Sequence, residues 1–445
     1  MADPKQLWAA LLSESRLFHP GPAVEGRGRS EFEKDHDRVM FSSAFRRLKD
    51  KTQVFPLSPT DYTRTRLTHS LEASCVGRSL GREAAITLRA THRIEEDPDI
   101  ATLVATACLA HDIGNPPFGH SGEDAIQSWA RSAESWLGLA PTEYQDVTEF
   151  EGNAQGFRIM TRLQNRRLAG GIQPTLALLG AMTKYPRYST TPRPINKEMA
   201  SEKKFGFFRD DGPAAISAFD ALGMKAKGGD MYCRHPLAFL TEAADDICYI
   251  VMDLEDAEKL KIVPTEKVME LLLPLAKEGG FKPKEFNPSV ELSRIRATAI
   301  NAMTRACARV FRERIEEIEI GCFDRPLIEH TEFATEHANL VTFERKHVYN
   351  DRRAVQIEYA GYSTIGGLLE MFCDAALATE PTRPQKKLLS LLPVDQFDRP
   401  DLAPGDHRRL TRYERVLAIT DYVSGMTDSY AVDLFQQLSG IQLPR

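Results

Sequence analysis

The chain has 445 residues, enough to bury a large core as one big domain with an appendage or as two to three ordinary domains. Its 57 Lys and Arg residues stand against 63 Asp and Glu residues, so the net charge of −6 argues against a protein that coats nucleic acid or anionic membrane over its whole surface. Local basic clusters stay compatible with this balance.

The cysteine pattern and the hydropathy pattern both favour a cytoplasmic protein. The seven cysteines are scattered and lack a CxxC spacing, so they indicate neither a disulfide framework nor a zinc ribbon. The longest apolar stretch, 101–110, is far shorter than a membrane span, and the N-terminus lacks a basic region followed by an apolar run. We therefore expect a soluble cytoplasmic protein without membrane contact.

Apolar residues recur at helical spacing along most of the chain, and alternating strand patterns are nearly absent. The segment 185–234 is an exception, because its Lys, Gly, Pro and aromatic residues predict a long loop or a short β-hairpin. We therefore predict an all-α, mostly helical fold with at most a small β-hairpin insertion. In chain order, the predicted helices cover 30–48, 66–90, 99–112, 121–137, 234–262 and 289–320.

Two composition breaks suggest how the chain is divided. The proline-containing and charged segment 281–288 predicts a division between two helical parts, and 379–406, rich in proline and charge, predicts a surface segment. We expect an N-terminal extension over 1–29, a core with the metal site over 30–280, and a helical C-terminal region over 281–445.

A histidine and an aspartate stand side by side at the end of a predicted buried helix. His111-Asp112 follows the apolar run 101–110, and Gly114 and Pro116 end the helix just past the pair. Adjacent helical residues diverge by about 100°, so both side chains can reach one ion only near a helix end. An isolated pair of this kind is more often a hydrogen-bonded core histidine with its neighbour, and for the dipeptide alone this alternative is favoured.

Two further segments offer ligands that would complete a metal site. His69 lies near the start of the predicted helix 66–90, and Asp245, Tyr249 and Asp253 share one face of a buried helix because their spacing is i, i+4, i+8. Carboxylates are rarely buried without a partner, and a metal ion is a suitable partner for Asp245. A solvated helix face is the alternative, which the flanking apolar residues disfavour. Imidazole and carboxylate ligands suit Mg, Mn, Fe, Co or Ni better than a structural zinc.

A second helix begins close behind these ligands. Ser121 and Asp124 predict an N-cap with a capping-box-like partner, which puts His120 and Glu123 at the positive end of a helix dipole. An anionic phosphate is favoured there, and a glutamate can orient a histidine as an acid or a base. Judged alone, Glu123 could equally serve only to complement the dipole.

Taken in order, these motifs resemble those of the HD superfamily and, more narrowly, of the bacterial deoxyguanosinetriphosphate triphosphohydrolase family. An HD pair alone is weak evidence, but the ordered series is specific and extends over most of the chain. The resemblance implies metal-dependent hydrolysis of a deoxynucleoside triphosphate (dNTP) by attack of an activated water on the α-phosphorus, giving deoxynucleoside and inorganic triphosphate. Besides the residues above, it rests on 45–56 (FRRLKDKTQVFP), 64–70 (RTRLTHS), 150–155 (FEGNAQ), 184–186 (KYP), 242–249 (EAADDICY) and 421–428 (DYVSGMTD).

The resemblance also implies roles for residues at matching positions. His69, His111, Asp112 and Asp245 would hold one divalent metal ion whose identity is open among Mg, Mn, Co, Ni and Fe. The catalytic acid/base pair would be His120 and Glu123, and the sequence leaves open which of the two functions His120 serves.

Substrate contacts follow from the same resemblance. Gln53 and Asp253 would hydrogen-bond the 3′-hydroxyl, and Tyr249 would pack against the deoxyribose where a ribose 2′-hydroxyl would clash. Asn153 would line the pocket. A triphosphate needs several cations, and the candidates are Arg66, Lys184, Lys204 and Arg412.

Two alternative functions stay open at this stage. The chain could be an HD phosphohydrolase that acts on another nucleotide, such as a nucleoside monophosphate, a cyclic nucleotide or an alarmone. It could also be a regulatory HD protein that binds single-stranded DNA through basic groups such as Arg46-Arg47, Lys386-Lys387 and Arg408-Arg409. By resemblance we expect a homo-oligomer, such as a hexamer, with contacts from the C-terminal region, and an allosteric nucleotide as a further partner. The preferred base is open.

Overall fold

The computed structural model is mostly helical, and this confirms the predicted fold class. It describes residues 3–18, 28–53, 63–167, 169–191, 196, 198–282, 288–400 and 409–442, with 353 and 354 in backbone only. The first group of α-helices is α1 (Pro4–Leu11), α2 (Glu31–Phe41), α3 (Ser43–Arg47), α4 (Arg66–Ala90), α5 (Ile100–Ala110), α6 (His120–Ser132), α7 (Glu134–Leu137), α8 (Pro141–Thr148), α9 (Gly152–Arg158), α10 (Leu176–Met182), α11 (Gly212–Ala221) and α12 (Ala238–Lys259). The second group is α13 (Thr265–Glu278), α14 (Pro288–Glu313), α15 (Ile315–Glu319), α16 (Ala334–His347), α17 (Arg352–Leu377), α18 (Arg383–Leu389), α19 (Arg412–Ser424) and α20 (Asp428–Leu438).

A small hairpin interrupts the helices. Strands β1 (Ala226–Gly228) and β2 (Met231–Tyr232) pair antiparallel, with Ala226 opposite Tyr232. The hairpin lies within the segment that predicted a loop or a β-hairpin, so that prediction is confirmed. The same segment also contains α11, which the sequence did not predict; this helix buries Ala215, Ala218 and Phe219 on one face.

Three predicted helices differ from the structure: two are interrupted, and one begins at a different residue. The prediction over 289–320 is interrupted at Arg314, between α14 and α15. The prediction over 30–48 is interrupted at Ser42, whose hydroxyl accepts a hydrogen bond from the backbone of Phe45 and so starts α3. The prediction of Ser121 as the N-cap is wrong, because α6 begins at His120, directly after Gly119, and no side chain caps it.

The larger of two buried clusters surrounds α5. Helices α4, α5, α12 and α14 contribute almost half of its side chains, and α5 is apolar enough to be buried along nearly its whole length. Burial of such a helix is favoured because each fully buried aliphatic side chain contributes roughly 1.5–3 kcal/mol. Within the described ranges, no helix combines the length and the apolar character that crossing a membrane requires.

The second buried cluster joins helices from the first half of the chain to the C-terminal helices. Trp129 of α6 and Phe150 lie in one cluster with Phe372 of α17 and Ile419 of α19. The C-terminal helices therefore pack directly on the helix that begins at His120, across the division expected near residue 280. The domain boundaries stay predictions, and the segments 283–287 and 401–408, which include Arg408, lie outside the described residues.

Candidate active site

Three helices bring candidate metal ligands to one place. His69 lies in the first turn of α4, His111 directly follows α5, and Asp245 lies within α12. Nε2 of His69 is 3.0 Å from Oδ1 of Asp245, and Nε2 of His111 is 3.3 Å from the same oxygen. One ligand atom from each residue lies within 4.8 Å of the other two. Three of the four predicted ligands thus converge on a common point.

The surroundings of His111 favour a positive charge at the point where the three candidate ligand atoms meet. Nδ1 of His111 lies 2.6 Å from the carbonyl oxygen of Cys108, which can only accept, so Nδ1 carries a proton. In the neutral ring, Nε2 then directs a lone pair at the carboxylate, and this buried nitrogen lacks a hydrogen-bond partner among the described residues. Burial lowers the pKa of His111, yet the charges of Asp112 and Asp245 raise it overall. Two imidazole nitrogens and a carboxylate suit a divalent first-row metal, so these residues fit such an ion.

Asp112 lies beside this group rather than within it. Its Oδ1 is 3.6 Å from Nε2 of His111. The same oxygen accepts a hydrogen bond from the Asn115 amide, and Oδ2 accepts one of 2.7 Å from Nη1 of Arg66. Burial opposes ionisation of Asp112, but the Arg66 guanidinium and the two imidazoles hold its pKa well below the usual range. Asp112 is therefore an anion next to the group, and its role as a fourth ligand stays a prediction.

Lys184 contacts the remaining oxygen of Asp245. Its Nζ donates a hydrogen bond of 2.6 Å to Oδ2 of Asp245. Burial opposes the charge on both groups, but each stabilises the other, so the pKa of Lys184 is raised and that of Asp245 is lowered well below its usual range. A predicted triphosphate-binding lysine is thus held as a cation at the edge of the candidate metal site.

His120 and Glu123 form the predicted pair at the start of α6. Nδ1 of His120 is 2.8 Å from Oε2 of Glu123, and 76 % of the His120 side chain is exposed. The hydrogen bond and the charge of Glu123 raise the pKa of His120. Oε1 of Glu123 accepts a hydrogen bond of 2.7 Å from the backbone of Gly152, which fixes the carboxylate. Glu123 therefore holds Nδ1 of the imidazole, and Nε2 lies on the side of the ring away from that hydrogen bond.

Arg66 connects the two groups of residues. Its Nη1 donates to Asp112, and a methyl group at Gly119, the residue before His120, would collide with its Nη2. The side chain is buried, and the charges of Asp112 and Glu123 raise its pKa against the effect of burial. The candidate metal ligands and the acid/base pair are therefore neighbours across one guanidinium.

Glu151 is a site residue that the sequence did not single out. Its Oε1 accepts hydrogen bonds of 2.9 Å from Nζ of Lys204 and from the amide of Asn153. Lys204 is also 3.9 Å from Oε2 of Glu123. Two predicted substrate-binding residues are thus brought to the acid/base pair by a buried carboxylate. The motif at 150–155 contained Glu151, but nothing in its local pattern distinguished the residue from a surface carboxylate.

The predicted sugar side contains two more residues that the sequence missed. Oη of Tyr349 donates a hydrogen bond of 2.7 Å to Oδ2 of Asp253, and its ring centre is 6.1 Å from that of Tyr249. Glu344 is a second acceptor for Tyr349, at 3.3 Å. Burial raises the pKa of Asp253 well above its usual range, although the bond from Tyr349 counteracts this. Oε1 of Gln53 is buried without a hydrogen-bond partner among the described residues.

Arg412 is not brought to these residues. Its guanidinium donates hydrogen bonds of 2.9 and 2.8 Å to the carbonyl oxygens of Leu137 and Trp136, at the end of α7. These carbonyls have no partner within the helix, so Arg412 serves as a cap there. The expected contact of Arg412 with a triphosphate has no support in this geometry.

Two family models and several curated proteins match this chain. Residues 66–151 match the HD domain, and residues 329–437 match the phosphohydrolase-associated domain. A Synechocystis protein named deoxyguanosinetriphosphate triphosphohydrolase-like protein is 41 % identical over 98 % of this chain and 100 % of its own length. A Pseudomonas aeruginosa protein of the same name is 38 % identical over 98 % and 99 %. The deoxyguanosinetriphosphate triphosphohydrolase of Salmonella arizonae is 29 % identical over 92 % and 94 %.

Proposed function

The chain belongs to the deoxyguanosinetriphosphate triphosphohydrolase-like family of HD phosphohydrolases, and from this we propose that it hydrolyses dNTPs to deoxynucleoside and inorganic triphosphate. The observation that carries the proposal is the convergence of His69, His111 and Asp245 next to the His120–Glu123 pair. That arrangement combines a site for a divalent cation with a proton-transfer group.

The metal ligands would be His69, His111 and Asp245, with Asp112 as the proposed fourth. A divalent ion bound there supplies Lewis acidity toward a phosphoryl oxygen and lowers the pKa of a coordinated water. Arg66 and Lys184 contact the carboxylates of this group, so they present fixed positive charge to the phosphates of a bound substrate.

His120 would transfer the proton. Glu123 accepts the hydrogen bond from Nδ1 and keeps the ring oriented, so Nε2 is the atom that exchanges a proton with the attacking water or with the departing 5′ oxygen. Lys204, bound to Glu151, adds positive charge on the same side. The hydrogen bond and the charge of Glu123 raise the pKa of His120 and so stabilise its protonated form.

Preference for a deoxyribose would come from the predicted sugar-binding residues Gln53, Asp253 and Tyr249. Oε1 of Gln53, which has no hydrogen-bond partner within the described part of the chain, would accept a hydrogen bond from the 3′-hydroxyl, and Asp253 would bind the same hydroxyl. Tyr249, packed near Tyr349, would occupy the space that a 2′-hydroxyl needs. A buried acceptor without a donor favours a ligand that supplies one.

Product analysis tests this function. The purified protein is incubated with each dNTP and each ribonucleotide over a panel of divalent ions, and the products are separated by chromatography. We expect deoxynucleoside together with unbroken inorganic triphosphate. Release of monophosphate, orthophosphate or pyrophosphate, or turnover of only monophosphates or cyclic nucleotides, would instead indicate a different HD phosphohydrolase.

Metal binding is tested separately by titration calorimetry with Mn²⁺ or Co²⁺. Asp245→Asn should weaken binding by at least about 100-fold, because loss of residues around metal ligands already costs 10–100-fold. Asp246→Asn is the matched control: burial raises the pKa of Asp246 well above its usual range, so a neutral amide resembles the native group. Equal metal affinity of the two variants would contradict the assignment of Asp245.

His120→Ala should abolish turnover while keeping metal and dNTP binding.

A further inference from the structure

The backbone directly before His120 adopts a conformation that L-residues rarely adopt. Phe118 has φ +62° and Gly119 has φ +57°, so two consecutive residues lie in the left-handed region. Glycine tolerates this region, but a bulky aromatic residue does so only when surrounding contacts hold it there. The Phe118 ring is buried in the second cluster. The position of His120 therefore depends on whatever fixes residue 118.

Asp428, the first residue of α20, makes the contact that fixes this turn. Its Oδ1 accepts a hydrogen bond of 3.0 Å from the backbone N–H of Phe118. Its Oδ2 accepts two more from Thr52, of 3.0 Å from the backbone N–H and 2.6 Å from the hydroxyl. Asp428 is only 1 % exposed. One buried carboxylate thus joins the residue before Gly119-His120 to the residue before Gln53.

These bonds are not an ordinary helix cap. The first turn of α20 is capped by Thr427, whose hydroxyl accepts a hydrogen bond from the backbone of Tyr430. Both oxygens of Asp428 instead bind groups 310 and 376 positions away in the chain. A carboxylate needed only by its own helix would face the N–H groups of that helix.

A second side chain holds the start of the same turn. Nζ of the buried Lys51 donates hydrogen bonds of 2.5 Å to the carbonyl oxygen of Asn115 and 2.9 Å to that of Ser424. The amide of Asn115 in turn binds Asp112. The turn 115–118 is therefore fixed at both ends by bonds that connect it to the C-terminal helices.

We propose that Asp428 is a positioning residue for the reaction: it holds His120, through Phe118, and Gln53, through Thr52, at a fixed separation. This inference rests on the proposed function, in which His120 acts at the α-phosphate and Gln53 at the sugar. The C-terminal helices then do more than complete the fold, because they set the distance between proton transfer and sugar recognition.

Two substitutions at Asp428 test the proposal, with a control on the same helix. Asp428→Ala and Asp428→Asn are compared with Asp433→Asn, whose side chain is exposed on α20. We expect kcat to fall at least about tenfold in Asp428→Ala, and less in Asp428→Asn, which keeps one acceptor, while calorimetric Mn²⁺ affinity stays within about twofold. Asp433→Asn should match the wild type. Wild-type kcat in a folded Asp428→Ala protein would overturn the proposal.

Substitutions at Thr52 test the positioning of Gln53 separately from the positioning of His120. Thr52→Val removes the hydroxyl bond to Asp428 while the backbone bond stays, so we expect a raised KM for dNTP with kcat nearly unchanged. Thr52→Ser restores the hydroxyl and should restore KM. A merely structural role would lower the urea midpoint of Thr52→Val without this split, and that outcome would count against the proposal.

An NMR measurement separates failure of this inference from failure of the proposed function. In protein with ¹³C-labelled histidine, the His120 signal, assigned with His120→Ala, is titrated in the wild type and in Asp428→Ala without substrate. Release of the turn should weaken the bond to Glu123 and lower the pKa of His120 toward its ordinary value. An unchanged titration in Asp428→Ala overturns the inference whatever the enzyme hydrolyses. A lowered pKa with no dNTP turnover by the wild type supports the positioning and rejects only the proposed function.

Discussion

Single side chains in the candidate active site owe their properties to specific partners. Glu123 binds Nδ1 of His120 and is itself fixed by the backbone of Gly152. Burial alone would raise the pKa of Glu123, but the hydrogen bond from His120 and the charge of Lys204 lower it. The pair therefore favours an imidazolium next to a carboxylate, and changing either member changes the titration of the other.

Glu123→Gln should move the inflection that His120 contributes to the pH profile of kcat/KM to lower pH. The neutral amide removes the charge that raises the pKa of His120, so the imidazole loses its proton at a lower pH than in the wild type. If the acidic limb moves, His120 acts as a base; if the basic limb moves, it acts as an acid. The neighbouring Asp124→Asn, on the exposed side of α6, is the control. Identical profiles for Glu123→Gln and the wild type would refute the assigned pair.

At the scale of elements, the turn after α5 packs backbone to backbone on the start of α9. A methyl group at Gly114 would overlap the carbonyl oxygen of Gly152 and the backbone nitrogen of Gly156. Such a close approach to another backbone is possible only without a side chain, which explains the glycine at position 114. This contact fixes the turn that follows His111.

Gly114→Ala should therefore destabilise the protein by roughly 1–3 kcal/mol or more and lower kcat, because backbone rather than a flexible side chain has to move. Gly366→Ala is the matched control. A methyl group there, inside α17, would find its nearest neighbour at 4.0 Å, and alanine is the better helix former by about 1 kcal/mol. Urea unfolding and steady-state kinetics measure both effects. A Gly114→Ala protein as stable and active as Gly366→Ala would contradict the contact.

His235 joins α1 to the start of α12 as a neutral ring. Nε2 lies 2.9 Å from the carbonyl oxygen of Leu11, and Nδ1 accepts a hydrogen bond from the backbone of Leu237. Burial lowers the pKa of His235 to about 4. Between pH 6.5 and 4 the unfolded chain therefore binds a proton that the folded chain does not, so this group's contribution is fully present above about pH 6.5 and is lost as the pH falls.

The expected loss from His235 between pH 7.5 and pH 5 is about 2 kcal/mol of unfolding free energy. His235→Gln should have a lower unfolding free energy than the wild type at pH 7.5. Between pH 7.5 and pH 5, its unfolding free energy should fall by about 2 kcal/mol less than that of the wild type. Urea unfolding at the two pH values measures the difference. His36→Gln, on the partly exposed face of α2, should retain the wild-type pH dependence. The same acid sensitivity in His235→Gln as in the wild type would exclude this histidine as its source.

At the scale of the whole molecule, buried ion pairs connect the two clusters. Arg158, at the end of α9, donates a hydrogen bond of 2.9 Å to Asp421 of α19 and one of 3.0 Å to Asp211. All three side chains are buried. The charges of the aspartates raise the pKa of Arg158 against the effect of burial. The C-terminal helices are therefore held to the part of the chain that contains the candidate metal ligands by charges as well as by apolar contact.

Arg158→Ala should lower the unfolding free energy by about 3–5 kcal/mol, because it removes the nearest cation from two buried carboxylates. Arg325→Ala removes an exposed pair with Glu198 and should cost less than about 1 kcal/mol. Chemical denaturation compares the two variants. A cost for Arg158→Ala no greater than that for Arg325→Ala would show that the buried pairs do not hold the halves together.

The sequence by itself determined the helical class, the burial of α5 and the choice of His69, His111 and Asp245 as candidate metal ligands, because helical periodicity and ligand type are local properties. It also identified His120 with Glu123, since three positions on one helix place them in contact. The prediction began α6 at Ser121 instead of His120 and omitted α11, because tertiary packing overrides local helix propensity at these two places.

Only the tertiary structure decided which distant residues complete the site. Glu151, Tyr349 and Asp428 carry no periodic signal, and each acts through a contact with a residue far along the chain. Arg412 was a candidate for the triphosphate by resemblance only, and its guanidinium binds carbonyl oxygens at the end of α7. The physical reason is that periodicity reports which face of an element is buried, whereas the partner across that buried face is chosen by the packing of the whole chain.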